Sequence, residues 1–254
     1  GKLAGTLLRN GVDLTVRDLD RAAGEPFLAK GANWAESPRA MAESCDLIIT
    51  CLPSPAASAA VMEGPDGILS ALEPGKIWAE RSTTDAAEIG RLAALVAATG
   101  AEAVDCPVSG GVHRAATGNI SIFAGCARPT FERILPMLRI LGRRVLHTGP
   151  IGTASTLKVM TNYLATANLL TLCEAMVTMK AAGMDLATTY EAIKISSGTS
   201  FVHETESQVI LNGSRDISFT MDLVMKDIGL FQKIAEEHPV PLGISPLMID
   251  ILRD

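Results

Sequence analysis

The chain has 254 residues, of which 48% are hydrophobic and 20% charged, and it carries a formal net charge of -6 at pH 7. That length allows one large domain or two moderate ones around a substantial core. The negative balance, with no run of Lys or Arg, argues against a nucleic-acid or anionic-membrane partner.

The first elements come in an unusual order. Residues 1–10 read as a helix already under way, stopped by Gly11. Residues 12–17 then alternate apolar and polar side chains, as a strand does, and end at Asp18. A dinucleotide-binding unit runs strand, glycine loop, helix, strand, acidic residue. Here the helix, second strand and acid are present with nothing before them, so the sequence is expected to be an N-terminally truncated form of a longer protein.

Strands and helices continue to alternate. Asp46-Leu-Ile-Ile-Thr-Cys-Leu52 is a buried parallel strand, stopped by Pro53-Ser-Pro55, which cannot extend a ladder. Residues 76–79 form a weaker strand. After it, the Ser and Thr of residues 80–85 are natural N-caps for a helix over 86–99. Residues 102–106 are a strand that empties into Pro107-Val-Ser-Gly-Gly111. Two more strands, at 119–124 and 144–147, flank a helix over 130–141. The alternation predicts a doubly wound α/β sheet over residues 1–150.

Past Gly152 the strand signals stop. A helix over 154–182, ended by Gly183, is long enough to be the spine of a second, all-helical domain over 151–254. Its apolar part, 157–179, is interrupted by Lys158, Asn162, Asn168 and Glu174, which a membrane span tolerates poorly. Further helices are expected at 185–194, 200–212 and 221–237, with Gly213 and the prolines at 239 and 241 as breakers, and Arg253-Asp254 falls within a last one. The five cysteines form no CxxC pair and no metal-like spacing, so no metal site is expected. Scattered thiols suit a reducing compartment. Without an apolar signal segment at the start, the expected location is the cytoplasm.

The stretch from Gly149 to Asn162 joins the two halves. Lys158 and Asn162 stand four apart, which places them on one helix face, and the seam of two domains is where an enzyme keeps its chemistry. On spacing alone the commoner reading is a solvated helix face. His147, closing a strand, and His113, in a loop, lack an evident acidic partner and are not assigned a role.

With these pieces in place, the sequence resembles the β-hydroxyacid dehydrogenase family, which includes 3-hydroxyisobutyrate dehydrogenase, tartronate semialdehyde reductase and glyoxylate/succinic semialdehyde reductase. The resemblance covers essentially the whole chain. Residues 3–11 fit the helix after that family's glycine fingerprint. Leu52-Pro53, Ser82-Thr83, Asp105-Cys-Pro-Val-Ser-Gly-Gly111, Gly149-x-x-Gly152 with Lys158 and Asn162, and Lys226-Asp227 fit its later motifs in order. Two parts of the family pattern are missing, the three fingerprint glycines and a further helical stretch beyond Asp254. Thr161 stands where a second Asn is usual, and activity is expected to survive that change.

The resemblance implies reversible hydride transfer between a nicotinamide and a small β-hydroxy acid or its semialdehyde. Lys158 would be the proton donor and acceptor, and Asn162 would hold the substrate hydroxyl and fix the lysine. A free lysine near pKa ~10.4 is a poor base at neutral pH, so its surroundings must lower it. Ser109, Gly110 and Gly111 would bind the substrate carboxylate, with Phe219 and Asp227 lining the pocket. Leu52, Pro53 and Thr83 would border the cofactor, and Lys226 would lie against cofactor and substrate. Asp18, at its strand end, would accept from a ribose 2′-OH and repel a 2′-phosphate. NAD is therefore the expected cofactor, with NADP possible because Arg17 and Arg21 are near. The family's usual homodimer or homotetramer is expected. The alternatives are an imine reductase-like oxidoreductase, which usually lacks the lysine, and a non-catalytic dinucleotide-binding scaffold, which tends to lose the lysine or the Ser-Gly-Gly loop. A 6-phosphogluconate dehydrogenase would need a much longer helical domain.

Overall fold

The computed structural model describes residues 1–214 and 219–253. The chain divides between Lys158 and Val159 into two compact units.

The first unit opens with α1 (Lys2–Arg9), where Asn10 is the C-cap and Gly11 follows in the left-handed region. Next come β1 (Thr15–Val16), the short α2 (Glu25–Leu28) and β2 (Asn33–Trp34), and β1 pairs with β2 in parallel. The chain continues through α3 (Pro38–Ser44), β3 (Leu47–Thr50), α4 (Pro55–Glu63), β4 (Ile77–Glu80), α5 (Ala86–Ala98) and β5 (Glu102–Asp105). It then runs through β6 (Val108–Ser109), α6 (Gly111–Ala116), β7 (Ser121–Gly125), α7 (Arg128–Leu141) and β8 (Arg144–Gly149) into α8 (Thr153–Ala181).

β3, β4 and β5 are parallel neighbours, with Glu80 paired in register with Asp105. β5 and β6 both pair antiparallel with β7, and β8 lies parallel to β7 on its other side. The last two strands thus run against the first three, a reversal that the strand–helix alternation does not reveal. A parallel return needs a crossover of a dozen or more residues, and the stretch between β6 and β7 holds little beyond the six-residue α6.

Side chains that alternate along β4 and β5 enter two cores, so the apolar residues Ile77, Trp78 and Ala79 follow one another in β4, and Ala103 and Val104 in β5, before each strand closes on a carboxylate. Ile77, Ala79 and Val104 pack with Leu7, Phe131, Ile134 and Leu138 on one face. Trp78 packs on the other with Ile48, Met62, Ile89, Leu92 and Val96. The last three recur at helical spacing along α5. Trp78 is fully buried and donates from Nε1 to Thr50 Oγ1 at 2.9 Å. Truncating it to Ala would cost about 3–5 kcal/mol.

Local chemistry departs from the sequence reading in three places. The N-cap of α5 is Asp85, whose carboxylate accepts from Ala87 N at 2.7 Å, and the serine expected to cap that helix is engaged elsewhere. α3 and α4 were not expected. Each starts at a proline behind a serine, Ser37 or Ser54, whose hydroxyl accepts from a backbone N–H inside the helix. That is a standard helix start, which the prolines disguise as a break. His113 lies in α6, not in a loop, because two glycines with positive φ turn the chain straight into that helix.

The second unit is helical among its described residues, with most of α8 followed by α9 (Leu186–Lys194), α10 (Phe201–Leu211), α11 (Met221–Glu237) and α12 (Ile244–Arg253). Asp254 lies outside the described residues. Val224, Ile228 and Met248 pack against Tyr163, Ala167 and Leu170 of α8, and the Tyr163 ring stacks on Phe231 with centroids 4.1 Å apart. Between α9 and α10, buried His203 is held by Tyr190 O at 3.0 Å and Ser207 Oγ at 2.9 Å. Those contacts account for it as a packing residue. No helix among the described residues is long and apolar enough to cross a membrane.

Candidate active site

In an open α/β sheet, ligands bind beyond the carboxyl ends of the parallel strands. The loops that leave β3 and β4 there carry Leu52-Pro53 and Ser82-Thr83, and they are fastened together. Glu80, fully buried, accepts from both the N–H and the hydroxyl of Ser82 through Oε1. The same hydroxyl accepts from Leu52 N at 2.7 Å. Ser82 is buried, Leu52 and Thr83 are half-buried, and Pro53 is exposed. Pro53 and Thr83 thus stand at the ligand edge of the sheet on a braced pair of loops.

Several buried polar atoms near this edge have no hydrogen-bond partner: Glu80 Oε2, Arg81 Nε and Nη2, and Thr84 Oγ1. Arg81 Nη1 lies 3.9 Å from Cys106 Sγ. Burial nonetheless pushes the Cys106 thiol up to about 12, so it is neutral and unreactive near pH 7. All five cysteines are free. No group of His, Cys, Asp and Glu among the described residues could hold a metal ion.

Asp18 lies just past β1, in the separate two-stranded sheet, and is exposed. Its Oδ1 accepts from Asp20 N at 3.2 Å. A carboxylate in water at a strand end fits a ribose hydroxyl. The neighbouring cations are engaged. Arg17 donates to the carbonyls of Ala35 and Glu36, and Arg21 pairs with Glu25 and Glu36 while lying over the Trp34 ring.

Ser109 ends β6, and Gly110 and Gly111 follow at φ +126 and +75. A Cβ at Gly110 would press on Arg114 Cδ at 3.0 Å, so an L side chain would be both strained and crowded there. The glycines leave this turn as backbone alone, with N–H groups that an anion could approach.

Lys158 and Asn162 stand one turn apart on α8, and Lys158 is only 8% exposed. The helix start is built unusually. Gly152, in the N-cap position with φ +90, has no side chain to accept from the orphan N–H groups of the first turn. The acceptor comes instead from β5. Asp105 Oδ2 takes Gly152 N at 3.1 Å and Ser155 N at 2.8 Å, and Oδ1 takes Ser155 Oγ at 2.7 Å. Burial raises the Asp105 carboxyl to about 6, against the pull of these three bonds, and Glu80 beside it adds to the rise.

Further along, Asn162 donates from Nδ2 to Oδ2 of Asp227, which is 1% exposed. Lys226 Nζ lies 3.1 Å from Asp227 Oδ1. That oxygen has no aligned hydrogen bond, so the contact is an ion pair off the bonding direction. Asn162, Lys226 and Asp227 therefore form one cluster, while Phe219, 43% exposed, precedes α11 without a described partner in it. Sequence reasoning gave no role to Asp105, Glu80 or Ser155. The available signal was a carboxylate closing an apolar strand and a glycine where the next helix needed a cap.

Two family descriptions match the chain. The NAD binding domain of 6-phosphogluconate dehydrogenase matches residues 1–149. The second, described as NAD-binding of NADP-dependent 3-hydroxyisobutyrate dehydrogenase, matches residues 152–253. The chain is 33% identical over 252 residues to 2-(hydroxymethyl)glutarate dehydrogenase of Eubacterium barkeri, covering 99% of this chain and 84% of that protein. It is 30% identical over 258 residues to mitochondrial 3-hydroxyisobutyrate dehydrogenase of Mus musculus, covering 99% and 77% respectively. Among solved structures, 3-hydroxyisobutyrate dehydrogenase from Salmonella typhimurium superposes with a TM-score of 0.89 at 27% identity, covering 99% of this chain and 88% of that one.

Proposed function

We propose that this chain, which belongs to the family of 3-hydroxyisobutyrate dehydrogenase- and 6-phosphogluconate dehydrogenase-like NAD-binding dehydrogenases and is thus an NAD(P)-dependent oxidoreductase, interconverts a small β-hydroxy acid and its semialdehyde. The observation that carries the reading is a buried lysine one turn before an asparagine on a helix whose first turn is locked by a carboxylate. When bound, the nicotinamide would supply the hydride in reduction and take it up in oxidation.

The chain's own residues handle the rest. In reduction, the Lys158 ammonium gives its proton to the carbonyl oxygen as that oxygen gains charge. In oxidation, the neutral amine takes the hydroxyl proton. A proton-transfer group works best with a pKa near the operating pH. Asn162 holds the substrate hydroxyl, and Asp227, buried against the amide, acts on the substrate through it. Ser109 and the N–H groups of Gly110 and Gly111 bind the carboxylate, and Phe219 lines the side-chain pocket.

Asp18 receives the adenosine ribose. NAD is favoured over NADP, because the carboxylate repels a 2′-phosphate and Arg17 and Arg21 are already engaged. Leu52, Pro53 and Thr83 border the cofactor, and Lys226 reaches cofactor and substrate. In this reading residues 1–150 hold the dinucleotide, and 151–254 supply substrate and subunit contacts in a cytoplasmic homodimer or homotetramer. Apolar side chains such as Val177, 68% exposed on α8, support the oligomer.

The test follows NADH and NADPH absorbance against small hydroxy acids and semialdehydes, among them 3-hydroxyisobutyrate and 2-(hydroxymethyl)glutarate. NADH-linked turnover of one such compound is expected, and cofactor binding without turnover of any would contradict the reading.

A further inference from the structure

The first turn of α8 is fastened to the sheet by one side chain. Asp105 accepts from Gly152 N and Ser155 N, the N-cap residue and the third helical residue. Those are the two donors that a local capping box would satisfy with two separate side chains. A glycine at the N-cap cannot do this, and its φ of +90 excludes Ser, Thr or Asp at low cost. The cap is therefore supplied from β5, about 50 residues earlier in the chain.

The neighbouring strand is shaped for the same contact. A Cβ at Gly125, the register partner of Asp105, would lie 2.7 Å from Pro150 O and 3.0 Å from Thr153 Oγ1. Only glycine lets the helix start come this close to the sheet. Thr153 Oγ1 adds a bond back to Pro150 O at 2.6 Å.

We propose that Asp105 is a positioning residue of the reaction: by capping α8 it fixes the rotation and height of the first turn, and so the place of the Lys158 amine three residues past Ser155. The proposal rests on the acid–base role given to Lys158 above. A misplacement of about 1 Å at a reacting group can cost on the order of 10²-fold in rate, and a helix start without its cap is free to fray or shift by that much. The hydrogen bonds, not the charge, do the positioning. A neutral isostere can accept both N–H groups through its oxygen and donate from its nitrogen to Ser155 Oγ, which turns to receive it.

The test is a comparison of Asp105→Ala with Asp105→Asn, measured alone and in a Lys158→Ala background. Asp105→Ala is expected to lower kcat by about 10- to 100-fold while KM and the Kd for NADH change less than about threefold. Asp105→Asn should restore kcat to within about threefold of the parent. In the Lys158→Ala background the Asp105→Ala loss should largely vanish, since two groups that act as one unit are not additive. Equal losses in the Ala and Asn variants, or full additivity with Lys158→Ala, would overturn the proposal. If Asp105→Ala fails to fold, Ser155→Ala removes one of the three bonds with little loss of volume. It should lower kcat by about 3- to 10-fold at unchanged NADH affinity, and an unchanged kcat would overturn the proposal. A Lys158→Ala variant that itself keeps full turnover would instead defeat the acid–base reading. Slowed amide exchange at Gly152 and Ser155 that depends on Asp105 would still report the cap.

Discussion

Asn162 on α8 and Asp227 on α11 are joined by a hydrogen bond from the amide Nδ2 to the carboxylate Oδ2. The amide nitrogen is the donor of that bond and faces Asp227, so the oxygen end of the amide is set by default. The bond thus chooses which atom Asn162 turns the other way. With Lys226 drawn to the other carboxylate oxygen, three of the residues that the sequence motifs single out act as one polar cluster inside the helical unit.

Removing Asp227 should therefore cost orientation as well as stability. Asp227→Ala is expected to lower kcat/KM by about 10-fold or more, with Asp227→Asn in between, because an asparagine can still accept from the Asn162 nitrogen. Steady-state kinetics on both variants, with melting temperatures to separate folding from function, check this.

The brace between the two loops at the sheet edge makes a second prediction. Ser82→Ala deletes the hydroxyl that ties Leu52 N to Glu80 and leaves buried polar groups short of partners. A stability loss of roughly 1–3 kcal/mol is expected. The Kd for NADH should rise severalfold, with kcat at saturating cofactor little changed. Isothermal titration and denaturant unfolding measure the two effects.

How much of this was legible in the sequence depended on how local the signal was. α5, α8 and α11 are bounded by local signals, polar residues ahead of α5, Gly183 after α8 and the prolines at 239 and 241 after α11, and their ends agree with the sequence reading within a residue or two. The reversed direction of β7 and β8 had no such signal, because alternation of strand and helix says nothing about strand direction. α3 and α4 were hidden by prolines that serve as first-turn residues. Lys158 and Asn162 share a helix face at a four-residue spacing, which by itself fits a solvated face, and it is the resemblance to the dehydrogenase motifs that singles them out. Asp105 stands within a motif that assigns it no task, since its partners Gly152 and Ser155 lie about 50 residues away and no local pattern joins them.

The buried Asp105 carboxyl gives a pH prediction whose sign can be worked out. Its ordinary value of 3.8 is raised to about 6 in the folded chain, chiefly by burial. Between those values the native state holds more protons than the unfolded state, so stability falls as pH rises through about 4 to 6 and then levels off. The cost above pH 6 is roughly 3 kcal/mol. Glu80 is its register neighbour, and Cys106 and Cys126 lie close by. Asp105→Asn carries no such cost. It should melt several degrees above the parent at pH 7.5, and the gap should close toward pH 4. Thermal melts across that range check it, and a gap independent of pH would count against a raised Asp105.

Cofactor choice should turn on Asp18. Asp18→Ser removes the carboxylate that repels a 2′-phosphate, while Arg17 and Arg21 remain held by backbone and acidic partners. The NADH/NADPH ratio of kcat/KM should fall by about 10-fold or more, mostly through weaker NADH binding. Paired kinetics with the two cofactors settle it.

The central claim is that Lys158 moves the proton. Its most direct test is the pH dependence of hydride transfer, followed by NADH absorbance in single turnover, for the parent and Lys158→Ala with the best substrate found. The account predicts a rate lower by about 10²- to 10⁴-fold in the variant, an unchanged Kd for NADH, and loss of the limb in the pH–rate profile that the parent shows. A variant that transfers hydride within a few fold of the parent, with the same pH profile, would contradict it.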